Sequence, residues 1–315
     1  MILRLEAQPP GSDGGTTVLK SYHPRARLEV MTESSSTSWV LRLQRWAESE
    51  PDIRLALLVG SQARTKMPAD PLSDIDLVLF ARDPERLLQD EGWITRLGRY
   101  WTSHIERNAL ETGPERRVLF EDGQDVDFAV FPAEFIPALT ADARAIAILQ
   151  RGFRPLVNKD AVELDVPEAE PAAVAPSPSE FSNLVNDYWF HLVWTAKKLR
   201  RGELLTALEA TNGYLRALLV RTVRWHAIAR GPRGRDVWHG ARFFEAWADP
   251  RVIREFPETV AQYDARSVAR ALRANRTLFG WLTDELTESL SVPSPIPDRA
   301  GLSTYLDSLL DDRGP

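Results

Sequence analysis

The 315-residue chain contains no cysteine. Disulfides, thiolate metal sites and a cysteine nucleophile are therefore excluded. Histidine is scarce, with 5 residues, and none is spaced His-x-x-x-His beside acids, which argues against zinc. No apolar stretch approaches the ~20 residues needed to cross a bilayer. No signal peptide is evident, so the expected compartment is cytoplasmic. An excess of positive charge is also missing. A formal net charge of −6 disfavours a nucleic-acid surface and suits a cationic small molecule. What remains is ordinary for a globular protein, at 43% hydrophobic and 27% charged residues. The length suggests two domains, each able to bury a core.

The most informative stretch runs from Ile53 to Phe80. An apolar run, Ile53 to Val59, ends at Gly60-Ser61 and reads as a strand. A polar connection carrying Arg64, Lys66, Pro68 and Pro71 follows. Then Ser73-Asp74-Ile75-Asp76-Leu77-Val78-Leu79-Phe80 reads as a second strand. Side chains alternate on a strand, so Asp74 and Asp76 share one face, about 7 Å apart, while Ile75, Leu77 and Leu79 share the other. Two carboxylates on an otherwise apolar strand are costly unless partnered. A divalent cation is the usual partner, and Mg²⁺ prefers carboxylates combined with substrate phosphates. Glycine at position 60 lets a ligand approach the backbone, and the Ser61 hydroxyl with nearby amides can donate to a phosphate. A phosphate cradle on one strand and Asp-x-Asp on the next describe nucleotidyl transfer.

Residues 117–131 read as a hairpin. Arg117 to Phe120 is one strand, Glu121-Asp122-Gly123-Gln124 the turn, and Asp125 to Phe131 the return. Asp127 lies between Val126 and Phe128 and is expected to point into the site of Asp74 and Asp76. Asp125, at the strand entry, reads as a turn residue.

Val59-Gly60-Ser61, twelve further residues, Asp74-Ile75-Asp76 and a later Asp127 on a strand together resemble the nucleotidyltransferase fold shared with DNA polymerase beta. The segments Gly92 to Gly98, Leu119 to Asp127, Asp187-Tyr188-Trp189 and Ala196-Lys197 narrow this. They resemble the aminoglycoside 6-adenylyltransferase (streptomycin adenylyltransferase) family, over about Trp39 to Leu286. Phe120-Glu121-Asp122-Gly123 is the most specific piece. Two departures stand out. Ser61 is followed by Gln62-Ala63-Arg64 where arginine is expected directly, and Asp187-Tyr188-Trp189-Phe190 stands where Glu-Phe-Trp-Trp is commoner.

The rest of the chain gives the organisation. Residues 1–36 are rich in Gly, Ser, Pro and Thr and read as a disordered arm, with Met31 resembling an ordinary start. Trp39 to Ala47 has the spacing of a short amphipathic helix, and short helices are expected at Asp83 to Leu88 and Trp93 to Leu97. Residues 101–116 are polar and read as a loop or short helix, Phe135 to Gln150 as a helix, and Phe153 to Asp160 as a last strand. Residues 161–179 form a Pro/Ala-rich linker. Beyond it the pattern is helical: a helix from Phe181, one from Glu203 to Ala229, short pieces between Phe243 and Tyr263, then Val268 to Leu290 and Leu302 to Leu310. The expected fold is α+β: a nucleotidyltransferase domain over 37–160, a mixed sheet flanked by helices, and an all-helical substrate-binding domain over 180–315, with the active site between them.

On the helix from Phe181, Asp187, His191 and Trp194 form a stripe off the apolar face, with Lys197 beyond. The resemblance implies a triphosphate-facing role for Lys197, and nucleotide contacts for Gly60, Ser61 and Arg64. Asp187 is a candidate for an acceptor ammonium or guanidinium, and Trp189 or Trp101 for stacking on a base or cationic sugar; His191 reads as packing. The implied reaction moves AMP from ATP to an aminoglycoside hydroxyl, streptomycin-like, and releases pyrophosphate. Asp74 and Asp76 hold Mg²⁺, and Asp127 is a further ligand or the general base. Alternatives are transfer to another small molecule or a protein hydroxyl, and a non-catalytic nucleotide or drug sensor. A monomer or weak dimer is expected.

Overall fold

A computed structural model describes residues 34–108, 113–166, 175–232 and 235–311. Most of the expected N-terminal arm lies outside these residues, and its last positions, Ser34 to Ser36, open helix α1 (Ser34–Ser49). Two compact units are present. The first comprises 1–62, 67–133 and 155–160 by chain position, and the second takes in 63–66, 134–154 and 161–315. The segments 63–66 and 134–154, which the sequence alone groups with the sheet, are thus counted with the helices.

The first unit is an α+β layer, as the sequence predicts. Six strands lie in the order β3-β4-β5-β2-β1-β6. They are β1 (Ile53–Val59), β2 (Ile75–Ala81), β3 (Tyr100–Arg107), β4 (Pro114–Phe120), β5 (Asp125–Pro132) and β6 (Arg154–Asn158). Strand β2 runs antiparallel to β1 and parallel to β5. Strand β4 runs antiparallel to both β5 and β3. Two short helices, α2 (Pro84–Gln89) and α3 (Gly92–Leu97), follow β2. Asp83 caps α2 by accepting the Arg86 amide, with Pro84 in the first turn, where its missing N–H costs nothing.

The core of this unit is aromatic. Trp46 stacks on Trp93 at 4.7 Å between ring centroids, both meet the edge of Phe128, and Trp39 packs on Phe120 at 4.5 Å. Each buried ring contributes about 1.5–3 kcal/mol from desolvation. These contacts pack α1 and α3 on the sheet face of Phe128, so the alternate face of β2 and β5 carries the acids.

Of residues 101–116, expected as a loop or short helix, 101–107 lie instead in edge strand β3 and 114–116 open β4, while 109–112 lie outside the described residues. Among the described residues strand β3 has no neighbour beyond it, and it is exposed along most of its length, so no apolar alternation marks it. Trp101, on this strand, is 63% exposed. The helix expected over Phe135 to Gln150 is a short turn over Ala133–Ala138 and then α4 (Ala143–Leu149), capped by Asp142. Pro137 breaks the run.

The second unit is helical. Helix α5 (Pro178–Arg200) opens on a capping box in which the Ser177 hydroxyl accepts the Glu180 amide and Glu180 reaches back. Its buried face carries Phe181, Leu184, Val185, Tyr188 and Leu192. Tyr188 lies flat against Phe279 at 3.6 Å and donates to Asn275 Oδ1 at 2.7 Å. The helical stretch from Leu204 to Arg230 is continuous but not uniform: α6 (Leu204–Glu209), a wide π turn over Ala210–Leu215, then α7 (Arg216–Arg230). Short α8 (Phe244–Trp247) and α9 (Pro250–Glu255) follow, then α10 (Ala265–Leu290) and α11 (Arg299–Leu310). Among the described residues no helix is long and apolar enough to cross a membrane.

Candidate active site

The site in the sheet unit follows from register. Asp76 on β2 sits opposite Asp127 on β5, flanked by the pairs Ile75–Val126 and Leu77–Phe128. Parallel neighbours in register point the same way, so both carboxylates leave the face opposite Phe128. Asp74, two residues before Asp76, joins them. One carboxylate oxygen from each of Asp74, Asp76 and Asp127 lies within 4.8 Å of the others. Three hard oxygen donors without nitrogen or sulfur suit Mg²⁺ or Mn²⁺.

Asp127 is 6% exposed. Burial pushes its carboxyl up to about 7, and Glu115, Asp76 and Asp74 add to the rise. The Arg117 guanidinium, 3.2 Å away on the facing residue of β4, pulls in the other direction without overcoming burial. Burial also raises Asp125, helped by Asp74. Carboxylates crowded until they resist ionisation are the donor set that a divalent cation relieves. The residues present therefore fit such an ion.

The turn after β1 abuts this cluster. Gly60 has φ +66°, and a Cβ there would overlap the Asp76 carboxylate. Only glycine lets the strand end lie against that acid. Ser61 is 4% exposed, with its hydroxyl 3.5 Å from the Asp74 carbonyl. The hairpin after β4 braces the other side. Gly123 turns at φ +87°, and Gln124 donates to the carbonyls of Ser73 and Asp125 at 3.2 and 3.0 Å. Gln124 thus ties the residue before Asp74 to the strand of Asp127. Trp39 donates to Asp122 at 2.9 Å, fixing the hairpin to α1.

The remaining predicted residues lie in the helical unit. Asp187, Trp189 and Lys197 line one cleft of about 730 Å³ with Asn183, Phe190 and Trp194. Tyr305 of α11 closes its side, with the Lys197 ammonium 5.5 Å above its ring. Trp189 is 2% exposed and belongs to the helical core, with its Nε1 lacking a hydrogen-bond partner. Asp187 is more elaborately held than a surface acid. Tyr214 donates to both its oxygens, at 3.0 and 2.9 Å, and His191 Nδ1 lies 2.6 Å from Oδ1. That hydrogen bond raises the Tyr214 phenol. His191 is therefore a partner of Asp187 and not simply packing. Arg64 is counted with the helical unit and lies over the Trp238 ring at 5.0 Å.

Sequence reading missed Arg117, Gln124 and Tyr214. Arg117 was legible in principle, since the hairpin register places it opposite Asp127. Tyr214 was not, because it lies 27 residues from Asp187 on a helix with altered phase.

Comparison with known proteins identifies the family. Residues 35–309 match the family described as streptomycin adenylyltransferase. An aminoglycoside 6-adenylyltransferase of Bacillus subtilis is 21% identical over 273 residues, 84% of this chain and 94% of that protein. One from Campylobacter jejuni is 25% identical over 186 residues, 57% of this chain and 63% of its own length. The crystal structure of an aminoglycoside 6-adenyltransferase from Bacillus subtilis overlaps 89% of this chain and 99% of its own, with 19% identity and a TM-score of 0.42. With the family match covering most of its length, the chain belongs to the streptomycin adenylyltransferase family of nucleotidyltransferases.

Proposed function

We propose that the protein transfers AMP from ATP to a hydroxyl of an aminoglycoside of the streptomycin type, releasing pyrophosphate. The observation that carries this reading is the meeting of three carboxylate oxygens within 4.8 Å beside a glycine turn that no side chain could enter. Asp74, Asp76 and Asp127 would hold a divalent cation, which supplies charge neutralisation for the triphosphate and acidifies a bound hydroxyl. The chain's own groups do the rest. Gly60 keeps the backbone close, and Ser61 with its neighbouring amides donates to phosphate oxygens. Lys197 and Arg64 offer positive charge to the leaving pyrophosphate. In the α5 cleft, Asp187 takes an ammonium or guanidinium of the acceptor, while Asn183 and the exposed faces of Phe190 and Trp194 suit a polyhydroxylated sugar. The acidic chain, at a net charge of −6, favours such a polycation.

The test is pyrophosphate release from ATP and Mg²⁺ across a panel of aminoglycosides. Release with streptomycin or a close relative, and a product heavier by one AMP, is the expected result. Transfer of label to a metabolite pool or a polypeptide but to no aminoglycoside would replace the acceptor. ATP binding without any release would replace the enzyme by a sensor.

A further inference from the structure

The strand register carries the sheet site beyond its three carboxylates. Asp76 on β2 faces Asp127 on β5, Asp127 faces Arg117 on β4, and Arg117 faces His104 on edge strand β3. These four residues form one row across four strands. Two positions along, Glu115 of β4 faces Glu106 of β3. Residues two apart on a strand share a face, so Glu115 and Glu106 stand on the same side of the sheet as the row.

Arg117 is where these charges meet. Its Nε lies 2.7 Å from Glu106 Oε1 and donates to Glu115 Oε1 at 3.0 Å. Its Nη2 lies 3.2 Å from Asp127 Oδ2. One planar guanidinium thus joins three carboxylates on three strands. The two shorter contacts go to the glutamates and the longest to Asp127. Glu115 is 9% exposed, so its hold on Arg117 is sheltered from solvent.

That division decides what Arg117 can do for a divalent cation. An unmatched arginine beside a metal ligand would repel the ion and lower its affinity. Here two glutamates more than cancel the charge, so what reaches Asp127 is chiefly a fixed direction. A carboxylate has two oxygens, and pairing one with a rigid fork sets the plane in which the other is presented. A lysine ammonium on its flexible stem would supply charge without that plane. Outer partners of this kind turn a metal-binding side chain toward its ion.

We propose that Arg117, held by Glu106 and Glu115, is a positioning residue that aims the Asp127 carboxylate at the divalent cation. This rests on the reading of the carboxylate cluster as the cation site of an adenylyltransferase. Arg117 acts through Asp127 and touches neither the ion nor a substrate. Through Glu106, edge strand β3 gains a part in the site.

Mn²⁺ is the probe, because its paramagnetic signal counts the free ion directly. Electron paramagnetic resonance and calorimetry give the Mn²⁺ affinity of wild type, Arg117→Met, Arg117→Lys, Glu106→Gln and the double variant Glu106→Gln/Arg117→Met, beside melting temperature and AMP transfer. Arg117→Met should weaken Mn²⁺ binding roughly ten- to a hundredfold. Arg117→Lys should recover only a small part of that loss. Glu106→Gln should weaken binding by a smaller factor, since the arginine is then both looser and less neutralised, and it carries the test if Arg117→Met does not fold. In the Arg117→Met background it should add almost nothing, because the group it holds is gone. Mn²⁺ binding that is unchanged or tighter in Arg117→Met would reduce Arg117 to a repelling neighbour. Wild-type affinity in Arg117→Lys would mean that charge alone suffices. Wild-type affinity in Glu106→Gln, or its full loss repeated without Arg117, would detach the glutamate from the arginine. Each of these results overturns the proposal. A wild type that binds Mn²⁺ but transfers no AMP would instead remove the functional reading, and the Mn²⁺ comparison would still decide the role of Arg117. A wild type that binds no Mn²⁺, alone or with ATP, would overturn both.

Discussion

The carboxylate cluster of the sheet and the α5 cleft of the helical unit are built by opposite means. In the sheet, Asp76 and Asp127 face each other because two strands share a hydrogen-bonded register, and shifting it by one residue would turn an acid to the far face. In the cleft, Asp187 is held by side chains alone, Tyr214 from the π turn and His191 from its own helix. The first arrangement cannot be adjusted without unmaking the sheet. The second changes with a single substitution. On the proposed function, chemistry sits on the rigid construction and acceptor choice on the adjustable one.

Removing Asp76 should have the largest effect. Asp76→Asn is expected to cut AMP transfer by about a thousandfold, the scale of several kcal/mol of metal-assisted stabilisation, with the melting temperature nearly unchanged. Transfer at more than a tenth of the wild-type rate would break the contrast, because the cluster would then be no less tolerant than the cleft.

The rigid site should also carry a measurable strain. Asp127 titrates at about 7 in the folded chain against an ordinary value of 3.8. Between those values the folded state binds more protons than the unfolded state, so stability of the metal-free protein falls as pH rises from about 4 to 7. The loss is on the order of 1–3 kcal/mol, and Asp127→Asn should flatten most of it. Urea denaturation in a chelating buffer at pH 5 and pH 8 measures this. A wild type as stable at pH 8 as at pH 5, relative to Asp127→Asn, would show that the cluster is not strained.

Substitutions in the cleft should separate the two substrates. Asp187→Asn is expected to weaken acceptor binding about ten- to a hundredfold, the worth of a charge-assisted hydrogen bond, with ATP binding nearly unchanged. Lys197→Ala should do the reverse. Calorimetry showing Asp187→Asn losing ATP affinity instead would reverse the assignment of substrates along α5.

The smallest effect belongs to Tyr214→Phe. It removes a hydroxyl that orients Asp187 and leaves the ring against His191, at 4.4 Å. Acceptor KM should rise about two- to tenfold. A lowered acceptor KM would mean that Tyr214 competes for Asp187 instead of presenting it.

The same contrast explains what could be read from the sequence. Register and alternation are short-range properties, so the strand pair Ile53 to Phe80, the Asp-Gly hairpin and the placement of Asp127 were legible from residue spacing. Edge strand β3 was not, because a strand with both faces wet leaves no apolar alternation. Lys197 and Asp187 could be placed on one helix by periodicity, but the partners of Asp187 could not, since Tyr214 arrives by tertiary contact. Trp189 shows the limit of reading residue type. A tryptophan beside a candidate acid suggests stacking, yet it lies 2% exposed within the helical core. Gly152, packed on the Ala63-Arg64 backbone, and Trp238, beneath the Arg64 guanidinium, are separated by β6, the whole linker and helices α5 to α7, and no local pattern joins them.

The π turn over Ala210–Leu215 carries a consequence for how such a protein diversifies. A π turn is an α-helix that has absorbed an extra residue without coming apart. Deleting one residue there would restore ordinary helical geometry but rotate everything on one side by about 100° relative to the other. Leu219, Val223 and Ala227 on α7 and Ala207 on α6 are all core residues, so both flanking helices are held and the change of phase would fall on the turn itself. Tyr214 would swing away from Asp187. One codon lost or gained at this turn would thus re-set the surroundings of Asp187 in a single event, leaving the carboxylate cluster of the sheet untouched.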